Sequence, residues 1–166
     1  MNGKLLAGGL AVFALGFGGA LWWFQTQAWY DEITGVEAVD VQGSDLPVVN
    51  YRGLDGDSSP LKLRACFRVR DGVAPDALAH VKAAEGATPL VAPDWFDCFD
   101  APWIQAELDG GEARAVLAAA NEPWGFDRYI AYMPDGRGWM WRQMNHCGHA
   151  VFDGKDLPEG CPPKPE

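Results

Sequence analysis

The sequence predicts an α+β fold, in which an N-terminal membrane-spanning helix precedes a small disulfide-stabilised domain with an antiparallel sheet and two helices. Three observations lead to this prediction: an uncharged apolar run near the N-terminus, segments in which apolar and polar residues alternate, and four cysteines that all follow the apolar run. Hydrophobic residues make up 48% of the chain and include eight tryptophans, enough to build a core. The net charge of −10 argues against nucleic acid as a partner.

Residues 5–24 carry no charge, and as a helix they span about 30 Å, the thickness of a hydrocarbon core. Lys4 precedes this run and Asp31 and Glu32 follow it, so the positive-inside bias predicts residues 1–4 in the cytoplasm and the rest across the bacterial inner membrane. The alternative is a signal peptide that is cleaved near Ala28. A retained signal-anchor is favoured because the apolar run exceeds the usual length of a signal h-region, about 7 to 15 residues.

Small residues recur along one face of the predicted membrane helix, at Ala7, Ala11, Ala14 and Gly18. Spacings of four, three and four place them on one side, as contacts between membrane helices require. The alternative is that alanine and glycine are simply common in such spans. The first interpretation predicts a membrane-protein partner.

The cysteines Cys66, Cys98, Cys147 and Cys161 lie in the part predicted to be exported to the periplasm, where an even count indicates disulfides. Three connectivities are open. We favour Cys66–Cys98, because it would bring a cationic strand against an acidic loop, and by elimination Cys147–Cys161. The second bond closes a short loop, worth about 3 kcal/mol in the chain-entropy model. No CxxC or CxxCH motif is present.

After a juxtamembrane linker at 25–46, whose residues 31–46 are a linker or an irregular first strand, residues 47–166 are predicted to form the periplasmic domain. Alternation and turn residues predict the strands, and proline and glycine positions bound the helices. The predicted strands are 47–51, 61–70, 112–120, 126–133 and 138–145, and the predicted helices are 75–86 and 100–111.

The strongest alternation, "LKLRACFRVR" at 61–70, places Lys62, Arg64, Arg68 and Arg70 on one face beside Cys66. Arginines present forked donors to anions, so this face is a candidate anion site or intramolecular salt-bridge face. A solvated strand face is the commoner outcome. In the last strand Trp139 and Trp141 share one face while Met140 and Met144 share the other, and we expect core packing for both.

The stretch "QMNHCGHAVFDG" at 143–154 holds Met144, His146, Cys147 and His149 within six positions. Thioether, imidazole and thiolate ligands together suit copper or zinc, and a haem is a further alternative. A disulfide at Cys147 would remove the thiolate, however, and leave too few ligands for zinc. We therefore expect no cofactor. The third histidine, His80, falls off the apolar stripe of its predicted helix and is expected at the surface.

Signatures of common enzymes are missing from the sequence: there is no G-x-S-x-G, Walker A, GxGxxG or HExxH motif. Acidic residues are abundant, and nothing singles out a catalytic pair. The sequence therefore predicts neither an enzyme nor a nucleotide-binding protein.

The apolar span together with "PLKLRACF", "APDWFDCFD", "PDGRGWMW", "CGHAVFDG" and "PEGCPPKPE" resembles a family of small alphaproteobacterial membrane proteins. That family carries a domain-of-unknown-function label and is sometimes loosely called a histidine kinase. The resemblance runs along the whole chain and implies an inner-membrane protein with a periplasmic domain. The kinase label finds no support in the sequence, which has no ATP-binding glycine-rich box.

These observations predict a non-catalytic membrane-anchored periplasmic accessory or assembly protein for a larger inner-membrane complex. One alternative is a periplasmic metal- or haem-handling factor that uses Met144, His146, Cys147 and His149. A third is a thiol-redox protein, which the lack of CxxC disfavours.

Overall fold

The structure is a computed structural model in which residues 2–70, 78 and 81–165 are described. The chain divides into two compact units, Met1–Tyr30 and Asp31–Glu166. In the first, helix α1 (Gly3–Thr26) begins at Asn2, whose side chain accepts a hydrogen bond from the Lys4 N–H. The helix has a mean hydropathy of 1.8 and no buried residue, so it is long and apolar enough to cross a membrane.

The second unit is an antiparallel sheet with short helices. The strands are β1 (Asp31–Thr34), β2 (Ala38–Val41), β3 (Ser44–Asp55), β4 (Arg64–Val69), β5 (Arg114–Ala119), β6 (Phe126–Tyr132) and β7 (Arg137–Met144). The helices are a 3₁₀ turn (Pro60–Lys62), α2 (Ala101–Gly110) and α3 (His146–Phe152). The predicted α+β class is therefore confirmed, as is the helix predicted at 100–111.

The strand order is β1-β3-β4-β7-β6-β5, and β2 pairs with the same strand, β3, as β1 does. The sheet curls until its ends meet, because Gln42, directly after β2, hydrogen-bonds to β5. Its backbone N–H lies 2.8 Å from the Ala118 carbonyl oxygen, and its side-chain amide lies 2.9 Å from that of Leu117. Backbone groups at the end strand are thereby satisfied.

Curling gives the sheet two covered faces. The inner face forms the main core, in which Phe67, Ile130 and Met140 from neighbouring strands pack together. On the outer face Trp141 is fully buried against Phe99, with ring centroids 6.4 Å apart. Both faces of the last strand are thus packed, as expected for a doubly covered sheet.

Three segments differ from the sequence-based expectation. Residues 81–86 of the predicted helix 75–86 are not helical: Ala83 forms a β-bridge with Val116, and the Ala84 N–H donates to the Ala115 carbonyl oxygen. The free edge of β5 offers these residues hydrogen bonds, which outweigh the helix propensity of alanine. Of the rest of that helix only Leu78 is described, and His80 lies outside the described residues.

The compact domain begins at Asp31, where the sequence predicts a linker up to residue 46. Strands β1 and β2 occupy that segment and pair with the long strand β3. Helix α3 lies where the sequence predicts only a turn. Its N-cap is Asn145, whose side chain accepts a hydrogen bond from the Gly148 N–H.

Candidate functional site

The His146–Cys147 region lies at the beginning of α3, which is fixed by a polar network. The side-chain oxygen of Asn145 accepts from the Gly148 N–H at 3.0 Å. Its amide nitrogen donates to Asp127 Oδ1 at 2.7 Å and to Asn121 Oδ1 at 3.0 Å. Each polar atom of the Asn145 side chain is therefore satisfied, and α3 is tied to the loop before β6.

Backbone packing fixes the same helix from the other side. Gly148 is buried against Gly125, and a Cβ atom on Gly148 would overlap the Gly125 carbonyl oxygen. That Cβ would also lie 2.7 Å from Cγ of Met144. Only glycine fits here, so the position of the neighbouring Cys147 is determined by two backbones in direct contact.

Cys147 is bonded to Cys161, and Cys66 is bonded to Cys98, as the sequence predicts. Cys147 is 1% exposed, whereas its partner Cys161 is half-buried. Residues 153–160 and 162–165 are all exposed. Besides the disulfide, the indole N–H of Trp124 holds this C-terminal tail by donating to the Pro162 carbonyl oxygen at 2.9 Å.

Three potential ligand atoms converge at this disulfide. Among the described residues, the side chains of His146, Cys147 and Cys161 have ligand atoms within 4.8 Å of one another. His146 is exposed, and its Nε2 lies 3.5 Å from Cys147 Sγ. This group differs from the predicted set: it includes Cys161 and omits Met144 and His149. While the disulfide is intact, neither sulfur is a thiolate, and the group has one imidazole to offer.

A second cavity lies beside the Cys66–Cys98 disulfide. It has a volume of about 330 Å³, and its walls include the disulfide, Trp103, Trp139 and Arg137. The Arg137 guanidinium lies 5.1 Å from the ring centroid of Trp103 and 5.8 Å from that of Trp139. It also pairs with Asp135 at 2.7 Å. The hydrogen bond from the Arg137 backbone N–H, aided by the guanidinium, holds the pKa of Asp135 below its ordinary value.

The predicted basic face of β4 does not form a single surface. Arg64 is 4% exposed and donates to the carbonyl oxygens of Leu61, Leu63, Leu90 and Val91. Arg68 is exposed and donates to the Asp135 carbonyl oxygen at 2.9 Å, while Lys62 contacts the Ser58 hydroxyl. Arg70 is also exposed. A shared anion site would need these side chains to converge, and in the structure they separate.

Polar residues inside the curled sheet were not singled out from the sequence. Arg128 pairs with Glu122 at 3.1 Å and with Asp40 at 3.4 Å, and Arg142 pairs with Asp55 at 2.9 Å. The signal is their parity, since Arg128 shares a face with Ile130 and Arg142 shares a face with Met140.

Tyr51 lies near these arginines. Its ring stacks on Phe67, with centroids 6.3 Å apart, and its side chain is 7% exposed. Burial raises its pKa to about 12, although the nearby charge of Arg128 acts in the opposite direction. The neighbouring strands therefore surround a phenol that stays neutral at ordinary pH.

Comparison with protein families gives a match over most of the domain. Residues 33–162 match DUF6446, a family of unknown function. The chain belongs to DUF6446. The matched range starts within β1 and includes all four cysteines, so both disulfides lie inside the DUF6446 domain. No curated protein and no solved structure matches the chain significantly.

Proposed function

We propose that this DUF6446 protein is a non-catalytic accessory or assembly protein of a larger complex in the bacterial inner membrane, with its domain held in the periplasm. The observation that carries the proposal is helix α1, a 24-residue apolar helix without a buried residue. A helix of this kind lowers its free energy by entering a bilayer or by packing on another apolar surface.

The charges next to the helix support the proposed orientation. Lys4 lies at its beginning, while Asp31 and Glu32 lie beyond its end. The positive-inside bias places the lysine end in the cytoplasm. The two disulfides support the same orientation, because an oxidising compartment keeps cysteines paired.

The helix also offers a surface for a partner. Ala7, Ala11, Ala14 and Gly18 lie on one side, and a Cβ atom on Gly18 would meet nothing within 4 Å. Without bulky side chains on that side, another membrane helix can approach the backbone closely.

A pair of matched variants tests the partner. Ala14→Leu with Gly18→Leu adds bulk to the proposed face. Gly16→Leu with Ala20→Leu makes similar changes on the opposite face of the same helix, because two residues correspond to about 200° of rotation. The tagged chains are solubilised in mild detergent from the membranes of the native host and purified.

We expect the wild type and the opposite-face variant to recover the same membrane protein, and the Ala14/Gly18 variant to lose it. Recovery of the wild type as a monomer alone would contradict the proposal. Equal recovery of the partner by both variants would contradict the assignment of the face.

A further inference from the structure

We propose that reduction of the Cys147–Cys161 disulfide creates a binding site for one thiophilic metal ion, of the Zn²⁺ or Cu⁺ type. The ligands are His146 Nε2 and the sulfur atoms of Cys147 and Cys161. This inference goes beyond the accessory role and does not depend on it. Two thiolates and one imidazole form a donor set that such ions prefer over harder cations.

The distances fit a metal centre. Zinc binds sulfur at about 2.3 Å and imidazole nitrogen at about 2.0 to 2.1 Å, so tetrahedral ligands lie about 3.5 to 3.8 Å from one another. His146 Nε2 already lies 3.5 Å from Cys147 Sγ. All three ligand atoms lie within 4.8 Å of one another. Once the bond between the sulfurs is broken, they need to separate only to the distance that a shared ion sets.

Both sides of the site are held by contacts other than the disulfide. The Asn145 cap and the contact of Gly148 with Gly125 fix the beginning of α3, which carries His146 and Cys147. On the other side, the hydrogen bond from Trp124 to the Pro162 carbonyl oxygen holds the residue next to Cys161. The ligands therefore stay close together after reduction, which lowers the entropy cost of binding.

The site is open on one side. Cys147 is buried, but His146 is exposed and Cys161 is half-buried, so an ion can enter from the side of the imidazole and the tail. Three protein ligands leave a fourth position for water or for an incoming ligand. Such a site allows the ion to exchange, in contrast to a closed structural site with four protein ligands.

The reaction is a two-electron reduction followed by metal binding. A dithiol reductant attacks the disulfide, its own sulfurs become a disulfide, and its two thiol protons and two electrons convert Cys147 and Cys161 into thiols. The metal ion then displaces the two thiol protons and binds the thiolates. His146 binds in its neutral form, through Nε2.

His149 provides a matched control. It is exposed on the same helix, but it lies outside the group of converging ligand atoms. Met144 is already engaged in packing beside Gly148, as the proximity of its Cγ shows. Replacement of His149 removes an imidazole from α3 without removing a proposed ligand.

The experiment measures Zn²⁺ binding by the full chain in detergent. The protein is reduced with a trialkylphosphine under argon and desalted, and Zn²⁺ is titrated in competition with a chromophoric indicator. Reduction also opens Cys66–Cys98, so the double variant Cys147→Ser with Cys161→Ser, treated in the same way, gives the background from those thiols. Circular dichroism confirms that each variant is folded.

We expect the reduced wild type to bind one equivalent of Zn²⁺ more than the double variant and more than the oxidised wild type. His146→Ala should weaken this binding at least tenfold, and His149→Ala should leave it unchanged. Bound Zn²⁺ should also slow alkylation of Cys147 and Cys161 but not of Cys66 and Cys98. Equal binding by the reduced wild type and the double variant overturns the proposal, as do equal affinities of the two histidine variants.

Discussion

Gly148 packs directly against the backbone of Gly125, with no room for a side chain between them. Gly125 has a φ of +84°, a conformation that other residues rarely adopt, and a Cβ atom there would lie 3.1 Å from Cα of Gly148. The contact joins α3 to the loop before β6 and thereby positions Cys147. The two glycines are thus a structural condition of the candidate site.

The first prediction concerns Gly148→Ala. In an unobstructed helix this substitution stabilises by about 0.5 to 1 kcal/mol, because alanine loses less backbone entropy on folding. Here the added methyl group meets the Gly125 carbonyl oxygen, so we expect a loss of about 1 to 3 kcal/mol in the free energy of unfolding. Urea titration monitored by tryptophan fluorescence measures it.

Gly110→Ala is the control, because Gly110 lies in helix α2 with nothing within 4 Å of the added Cβ. This change should be neutral or stabilising. A stabilising effect of Gly148→Ala would show that the backbone contact is not tight.

The second prediction concerns Asn145, which caps α3 and donates to Asp127 and Asn121. Asn145→Ala should lower the free energy of unfolding by about 1 to 3 kcal/mol, because a cap is lost and buried groups lose their partners. Asn145→Asp keeps the cap oxygen but places a second carboxylate beside Asp127, so it should also destabilise at pH 7.

The matched control is Asp100→Asn. Asp100 caps α2 by accepting from the Trp103 N–H at 3.0 Å and is exposed. Aspartate and asparagine are comparable caps, so this change should cost little. If Asn145→Asp proved as mild as Asp100→Asn, the network with Asp127 would lack the proposed importance.

The third prediction concerns pH and Tyr51, whose pKa burial raises from 10.0 to about 12. The unfolded chain loses this proton near pH 10, and the folded chain retains it until about pH 12. The contribution of the neutral phenol to stability is therefore complete below pH 10 and is lost as the pH rises through this window. The two-unit shift corresponds to about 2 to 3 kcal/mol.

Urea titrations at pH 9 and pH 11.5 measure the loss, and Tyr51→Phe is the reference because phenylalanine does not ionise. We expect stability to fall more steeply with pH in the wild type than in this variant. Parallel pH profiles would contradict the assignment of the alkaline loss to Tyr51.

The fourth prediction concerns Arg64, which is buried and donates to four carbonyl oxygens. Arg64→Ala should destabilise by about 3 kcal/mol, because these buried acceptors lose their donor. Arg64→Lys should recover only part, since an ammonium group cannot reproduce the planar fork of donors. The free energy of unfolding again provides the measurement.

Arg68→Ala is the control on the same strand. Arg68 is exposed, so its loss should change stability by at most about 0.5 kcal/mol. Equal effects at Arg64 and Arg68 would show that β4 has one solvated basic face.

The sheet was largely predictable because alternation along 61–70 and the "PDGRG" turn are local signals. The bridge from Ala83 to Val116 was not, because it depends on a free strand edge that is distant in sequence. Helix α3 was also missed. Its seven residues give little periodicity, and its cap depends on contacts with Asp127 and Asn121.

The Cys66–Cys98 pairing was predicted for a reason that holds only in part. The sequence predicts that acidic residues beside Cys98 meet the basic residues of β4. In the structure Asp97 pairs with Arg52 of β3 at 2.9 Å, while Arg64 donates to carbonyl oxygens. Similarly, the predicted ligand set omitted Cys161, because the return of the tail to α3 is a tertiary feature without a local signal.

The central claim is that α1 anchors a domain on the oxidising side of the membrane. The most direct test is a disulfide map of the protein from native membranes, alkylated before lysis and analysed by mass spectrometry after proteolysis. We predict that the four cysteines resist alkylation until reduction and yield the linked peptides Cys66–Cys98 and Cys147–Cys161. Alkylation of all four cysteines before reduction would contradict the account, because it would place the domain in a reducing compartment.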